Sequence, residues 1–210
     1  AGNLAIVLKM LMTAEMRDAK EAGHSIYDDL EAFLSNTDAR FSKVLFYPFL
    51  YGSNAAPNAE GSFIGIRSNT TKSEMIRAVY EGIAFAHRYH VAQLLTVLGD
   101  QPDVIRMSGG ATNSKAWIQM FADVLNRPIE IVDASELGGL GGAITSAVGL
   151  GIYPSIEVAA EQMVRVKERF EPRAEEVAVY DQKYQGYVTM LQAMDASWRS
   201  LKTIQEGIEG

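Results

Sequence analysis

The sequence predicts an α/β fold, a mixed sheet flanked by helices. Short strand-like runs at 103–107 and 129–132 alternate with helix-period segments in the middle of the chain. Each run is followed by a glycine cluster and then a helical pattern. The 210 residues, 48% apolar and 21% charged, suffice for a packed core without staples.

Residues 3–20 place Leu4, Val7, Leu8 and Leu11 at helical spacing. A second helix is expected over 25–35, with Ser25 as cap and Ile26, Leu30, Phe33 and Leu34 on one face. Residues 44–47 read as a strand stopped by Pro48. Turn chemistry makes 51–61 a loop, and 62–66 reads as a second strand. Thr71-Lys72-Ser73-Glu74 is a capping box. It opens a helix over about 72–98, with Met75, Ile76, Val79, Ile83 and Ala86 as its buried stripe, Arg77, Glu81 and Arg88 as its charges, and Gly99 as its end. A strand at 103–107, a tight loop at 108–111 and a helix over about 114–125 follow, Trp117, Ile118, Phe121, Ala122 and Leu125 forming the core face of that helix. Then come a strand at 129–132, a turn at 133–139 and a helix around 141–150. Residues 155–169 and 174–201 read as polar surface helices, and 202–210 as a fraying tail. The chain divides into a helical segment (1–40) packing on an α/β core (41–169), and a C-terminal helix and tail (170–210).

Composition narrows the function. With 19 basic and 26 acidic residues the net charge is −7, and no long basic run favours nucleic acid. The absence of cysteine removes disulfide frameworks, zinc ribbons, thiol nucleophiles and iron–sulfur ligation, and is compatible with a reducing, cytoplasmic setting. No residue from 137 to 156 is charged, but six glycines and Pro154 interrupt that run, which reads as a buried glycine-rich turn and helix and not a membrane span. The N-terminus lacks a basic start before its apolar run, so it is no secretory signal, and a start at Ala1 reads as a cut inside a longer chain. Asn69-Thr70-Thr71 matches a glycosylation acceptor and is read as the approach to a helix.

The strongest chemical signal is the strand, Ser108-Gly109-Gly110-Ala111-Thr112-Asn113-Ser114, helix unit. Two glycines after a strand let backbone N–H groups approach a ligand, and the helix behind them offers free N–H groups and its positive dipole end. Asn113 or Ser114 can cap that helix or meet the ligand, and Lys115 adds a cation. Phosphate suits this arrangement, although it is neither GxxxxGK[ST] nor GxGxxG. A tight turn with no ligand is the alternative. The second cluster, 136–143, could serve the same site, or Gly141 and Gly142 could permit close helix packing. Asp133 and Glu136 could touch a metal through water, but acids after a strand read more readily as turn formers and caps. Arg106 reads as an internal ion-pair partner, and His87 and His90 as surface or partly packed residues without a third metal ligand. No serine sits in a nucleophile elbow.

These residues resemble a known family. The runs 46–53 (Phe-Tyr-Pro-Phe-Leu-Tyr-Gly-Ser) and 61–66 (Gly-Ser-Phe-Ile-Gly-Ile) are similar to the loop and strand that open the C-terminal lobe of FGGY carbohydrate kinases. Residues 77–85 resemble that family's long helix, 108–129 its adenosine motif, and 136–153 the glycine–alanine helix that follows. The resemblance leans towards bacterial L-xylulose kinases. It implies an actin-like, ribonuclease H-type ATPase fold of two lobes with ATP and Mg2+ in the cleft, and γ-phosphoryl transfer to a sugar hydroxyl, the sugar a ketose such as L-xylulose. By the same resemblance Gly109, Gly110 and Ala111 line the adenosine and α-phosphate of ATP or ADP, Ser114 contacts the nucleotide beside Asn113, and Gly2 forms the far wall. Ala5 and Ile6 stand where some members carry a glutamine. The family's first phosphate motif, sugar-binding residues and catalytic aspartate precede the region matched, so the chain is expected to be a C-terminal lobe inactive alone. The face the other lobe would cover is expected to be apolar and able to self-associate. A non-catalytic nucleotide-binding or regulatory module, or a scaffold for partners, are the competing readings.

Overall fold

The computed structural model describes residues 2–53, 56–98, 102–134 and 136–209. Three helices come first: α1 (Gly2–Leu11), α2 (Thr13–Glu21) and α3 (Ile26–Ser35). The single helix expected over 3–20 is thus broken at Met12. Ser25 caps α3 as expected, its hydroxyl accepting from the Tyr27 N–H while Asp28 reaches back to the Ser25 N–H.

Strands β1 (Leu45–Tyr47) and β2 (Ser62–Ile64) form an antiparallel ribbon, Phe46 opposite Phe63. Gly65, at φ +87°, turns the chain out of β2 two residues sooner than the sequence suggests. The ribbon packs on α4 (Lys72–Leu98), the central helix. Its capping box forms: the Thr71 N–H donates to Glu74 at 2.8 Å, and the Glu74 N–H to the Thr71 hydroxyl at 3.2 Å. Gly99, the expected helix end, lies outside the described residues. Ile76, Val79, Ile83 and Ala86 are buried as expected and Met75 partly so.

One expectation for α4 fails. Arg77 and Glu81, read as surface charges, are 3% and 1% exposed. The helix is enclosed on that side too, by α3 with the loop after it and by α8 (Ala174–Ala193). The charges survive burial because each has partners. Arg77 Nε meets Glu81 at 3.0 Å, and its Nη atoms donate to the Thr37 carbonyl and the Tyr180 hydroxyl. Lys183 Nζ donates to the other Glu81 oxygen and to the carbonyls of Ala39 and Ser42.

The main sheet has strand order β3-β4-β5. β3 (Ile105–Met107) runs parallel to β4 (Ile129–Val132), and β5 (Val166–Phe170) antiparallel to it. Helix α5 (Lys115–Leu125) crosses between β3 and β4, burying Trp117, Ile118, Phe121 and Ala122 as predicted. Arg106 lies opposite Glu130 and pairs with it at 3.2 Å, so it is an ion-pair partner, on the open face of the sheet. β5 corrects the helix expected over 155–169: only α7 (Ile156–Met163) is helical there. The charges at 165 and 167–169 hid an edge strand, where outward charges guard against stray pairing.

Helix α6 (Leu137–Gly149) takes in the whole second glycine cluster, four residues earlier than expected. It is mostly exposed, only Ile144 and Ala147 being buried. A Cβ added at Gly138, Gly141 or Gly142 would meet no described atom within 4 Å. The buried glycine-rich helix and the close helix packing at Gly141 and Gly142 are therefore both overturned. The tail is helical too: α9 (Asp195–Glu209) extends to Glu209, anchored by buried Trp198 edge-on to Tyr47. Among the described residues no helix is long and apolar enough to cross a membrane.

Candidate functional site

β3 and β4 are parallel, so their carboxyl ends open at one edge of the sheet, where α/β folds receive ligands. A cavity of about 920 Å3 lies there. Its walls are the end of β3 with Ser108, Gly109 and Gly110, the end of β4 with Asp133, and Lys167 and Glu168 from β5. Gly109 sits at φ +90°, ψ −170°, a conformation essentially reserved for glycine. That kink turns the chain into a short 3-10 turn, Gly110–Asn113, closed by the Thr112 N–H and hydroxyl on the Gly109 carbonyl. Gly109 and Gly110 stay exposed on the rim. Lys115 reaches over to Glu168 at 2.8 Å, and Lys167 adds a second cation.

A second pocket of about 450 Å3 lies on the other side of the same turn. Gly110 and Asn113 belong to both. Its remaining walls are Leu4 of α1, Ser25 with Tyr27, Asp28 and Glu31 of α3, Tyr80 of α4, and Ser114 and Trp117 at the start of α5. Tyr80 and Trp117 meet edge to face, ring centroids 4.8 Å apart. Burial, reinforced by Tyr27 and Glu31, pushes the Tyr80 phenol far above its usual range, so it stays neutral. The two chambers differ in chemistry: the larger carries glycine amides, Lys115 and Lys167 beside Asp133 and Glu168, and the smaller carries aromatic rings, two carboxylates and no cation.

Ser114 caps α5, its hydroxyl oxygen accepting from the Trp117 N–H at 3.1 Å. The same hydroxyl donates to Glu31 at 2.5 Å, and the Ala116 N–H donates to the other Glu31 oxygen at 2.9 Å. A carboxylate of this chain thus holds the helix N-terminus that the sequence reading reserved for phosphate. Of the residues singled out from sequence, Gly109, Gly110 and Asn113 line the larger cavity, and Gly110, Asn113 and Ser114 the smaller. Ala111 packs on the core, and Gly2 lies against the Tyr51 ring; neither is among the lining residues, and α1 reaches the smaller pocket through Leu4. Glu136 is the N-cap residue of α6 but makes no side-chain cap bond. His87 is held by the Ile83 carbonyl and packs edge-on to Phe121.

Sequence reasoning missed Glu31, Tyr27 and Lys167. Tyr27, Asp28 and Glu31 stand one and four positions apart on α3, an aromatic and two acids on one helical face. That spacing was the available signal. Lys167 carried none, because its strand was read as helix.

The model of the FGGY family of carbohydrate kinases, C-terminal domain, matches residues 2–150. A probable L-xylulose kinase of Pasteurella multocida is 32% identical over 173 residues, covering 82% of this chain and 35% of the relative. The L-xylulose/3-keto-L-gulonate kinase of Escherichia coli is 28% identical, covering 86% and 36%. The crystal structure of xylulose kinase from Rhodospirillum rubrum superposes with a TM-score of 0.79 at 28% identity, over 94% of this chain and 38% of that one. The chain thus spans a little over a third of the length of each. The fold is that of the C-terminal lobe of actin-like sugar kinases, as the resemblance implied. The chain belongs to the FGGY family of carbohydrate kinases, and what it shares with them is their C-terminal domain.

Proposed function

We propose that this chain is the ATP-side lobe of a cytoplasmic carbohydrate kinase that moves the γ-phosphoryl group of ATP to a sugar hydroxyl, the sugar being a ketose such as L-xylulose. The observation that carries the reading is the glycine turn standing between a lysine-bearing cavity and an aromatic pocket without a cation, in a chain of this family. The nucleotide lies across the turn. Its base enters the aromatic pocket, and its phosphates pass over the N–H groups of Gly109 and Gly110 towards Lys115 and Lys167. The names of the L-xylulose kinases among its relatives support the choice of sugar.

The chain's part is binding and orientation. The glycine amides and lysines hold phosphate oxygens by charge-assisted hydrogen bonds, and positioning is most of what phosphoryl transfer requires of a protein. Among the described residues no three His, Cys, Asp or Glu side chains gather to hold a metal. They do not fit a magnesium cage; the ion would arrive bound to the triphosphate. Sugar recognition and the catalytic base fall to residues outside this sequence.

A coupled ATP-consumption assay of the native gene product against ketoses and polyols tests this. Turnover with a ketose is expected, and Gly110→Val should raise the apparent KM for ATP by placing a side chain in the phosphate path. The 210 residues alone should transfer nothing and bind ADP with a Kd of about 1 mM or weaker, half a cleft leaving the phosphates in water. No turnover with any sugar, or unchanged ATP kinetics in the variant, would overturn the reading.

A further inference from the structure

We infer that Glu31 selects the base of the nucleotide, favouring a purine that presents an amino group over one that presents a carbonyl at the same ring position. This rests on the reading above, in which the aromatic pocket takes the base. The pocket contains no cation: its acidic walls are Asp28 and Glu31, beside the Tyr27 ring and the neutral Tyr80 phenol. Both carboxylates are hydrogen-bond acceptors only. Asp28 is turned to the Ser25 N–H at 3.2 Å, in the capping box of α3. Glu31 is held more firmly, by the Ser114 hydroxyl at 2.5 Å and the Ala116 N–H at 2.9 Å. Each of those bonds uses one of about four lone-pair sites, so the carboxylate keeps capacity to accept from a ligand.

Its position fixes two things. The negative charge on the N-terminus of α5 neutralises the dipole that would otherwise draw phosphate into the pocket. The triphosphate is left with the lysine-bearing cavity across the turn, and the base with the aromatic side. Within the pocket, a 6-amino group can donate to Glu31, whereas a 6-oxo group would set a carbonyl oxygen against a carboxylate. A hydrogen bond to a charged acceptor, lost and replaced by repulsion, amounts to about a tenfold difference in affinity at a part-open site.

The test is a nuclear magnetic resonance titration of the 210-residue chain, following the Trp117 indole N–H, with ATP, ITP and inorganic triphosphate as probes. In the wild type ATP should bind about tenfold tighter than ITP. Glu31→Gln keeps an acceptor for the Ala116 N–H and gains an N–H2 donor, so the ATP-to-ITP ratio should fall to about one while triphosphate affinity is unchanged or rises. Equal wild-type affinities for ATP and ITP, or a ratio untouched by Glu31→Gln, would overturn the role of Glu31 and leave the nucleotide reading standing. An ATP titration that leaves Trp117 unmoved would overturn both. The wild-type comparison needs no variant, so a misfolded Glu31→Gln protein would not shelter the inference.

Discussion

Gly82 is the position where one methyl group tests the architecture most directly. It lies in α4 where the helix crosses β1, and a Cβ built there would stand 2.1 Å from the Phe46 carbonyl oxygen and 2.9 Å from its carbon. Ordinary contact begins at 3.4 Å, so the oxygen is about 1.3 Å too close. The obstacle is backbone, and β1 is held in place by its pairing with β2. Relief therefore requires α4 to back away, opening the packing of Phe46, Tyr47 and Phe85, all buried. Overpacking of this kind costs about 1–3 kcal/mol, and a rigid backbone clash lies at the upper end. The better helix propensity of alanine returns about 1 kcal/mol. Gly82→Ala should thus lose about 2 kcal/mol net. Gly142→Ala is the control: the same change in a helix, with no described atom near the new methyl, should gain about 0.5–1 kcal/mol. Urea unfolding followed by the fluorescence of Trp117 and Trp198, both buried, reports each, and the two midpoints should move in opposite directions at constant m. A Gly82→Ala protein as stable as the wild type would refute the close approach of α4 to β1.

Two further outcomes follow from the charges around α4. Glu81→Gln should destabilise by about 3–5 kcal/mol, because Arg77 and Lys183 would keep buried charges without their shared carboxylate; an unaltered melting temperature by calorimetry would contradict this. Glu74 is held below the ordinary carboxylate range by the Thr71 N–H and hydroxyl. A depressed folded-state value stabilises above the unfolded value of about 4 and is lost as pH falls through the folded one. The stability gap between the wild type and Glu74→Gln should accordingly be full at neutral pH and close in acid, and a gap independent of pH would count against the capping box.

Local chemistry made most elements legible. The α4 capping box, the Ser25 cap and the Trp117–Phe121 face form as read, because each depends on residues three or four apart. The failures share a cause, which is that burial is set by what a segment packs against. Arg77 and Glu81 look like solvent charges until α3 and α8 close over them. The strand at β5 looks like a polar helix until β4 supplies its hydrogen bonds. The glycines of α6 look like packing sites, yet no described atom fills the space beside Gly138, Gly141 or Gly142.

The site shows the same division more sharply. The glycine turn is written into consecutive residues, and the strand-to-helix pattern locates it at the edge of a sheet. What gives the turn two unlike sides comes from elsewhere in the chain. Glu31 bonds Ser114 and Ala116 across 83 and 85 residues, and Lys115 meets Glu168 across 53. A helix N-terminus free in sequence is therefore not free in the fold, and the dipole that appeared to await phosphate is already neutralised by a carboxylate. In the function proposed above, the phosphates therefore fall to the kinked amides just before α5 and not to its start. At Gly109 the requirement for glycine follows from backbone angle and not from crowding, since no described atom lies within 4 Å of where its Cβ would be.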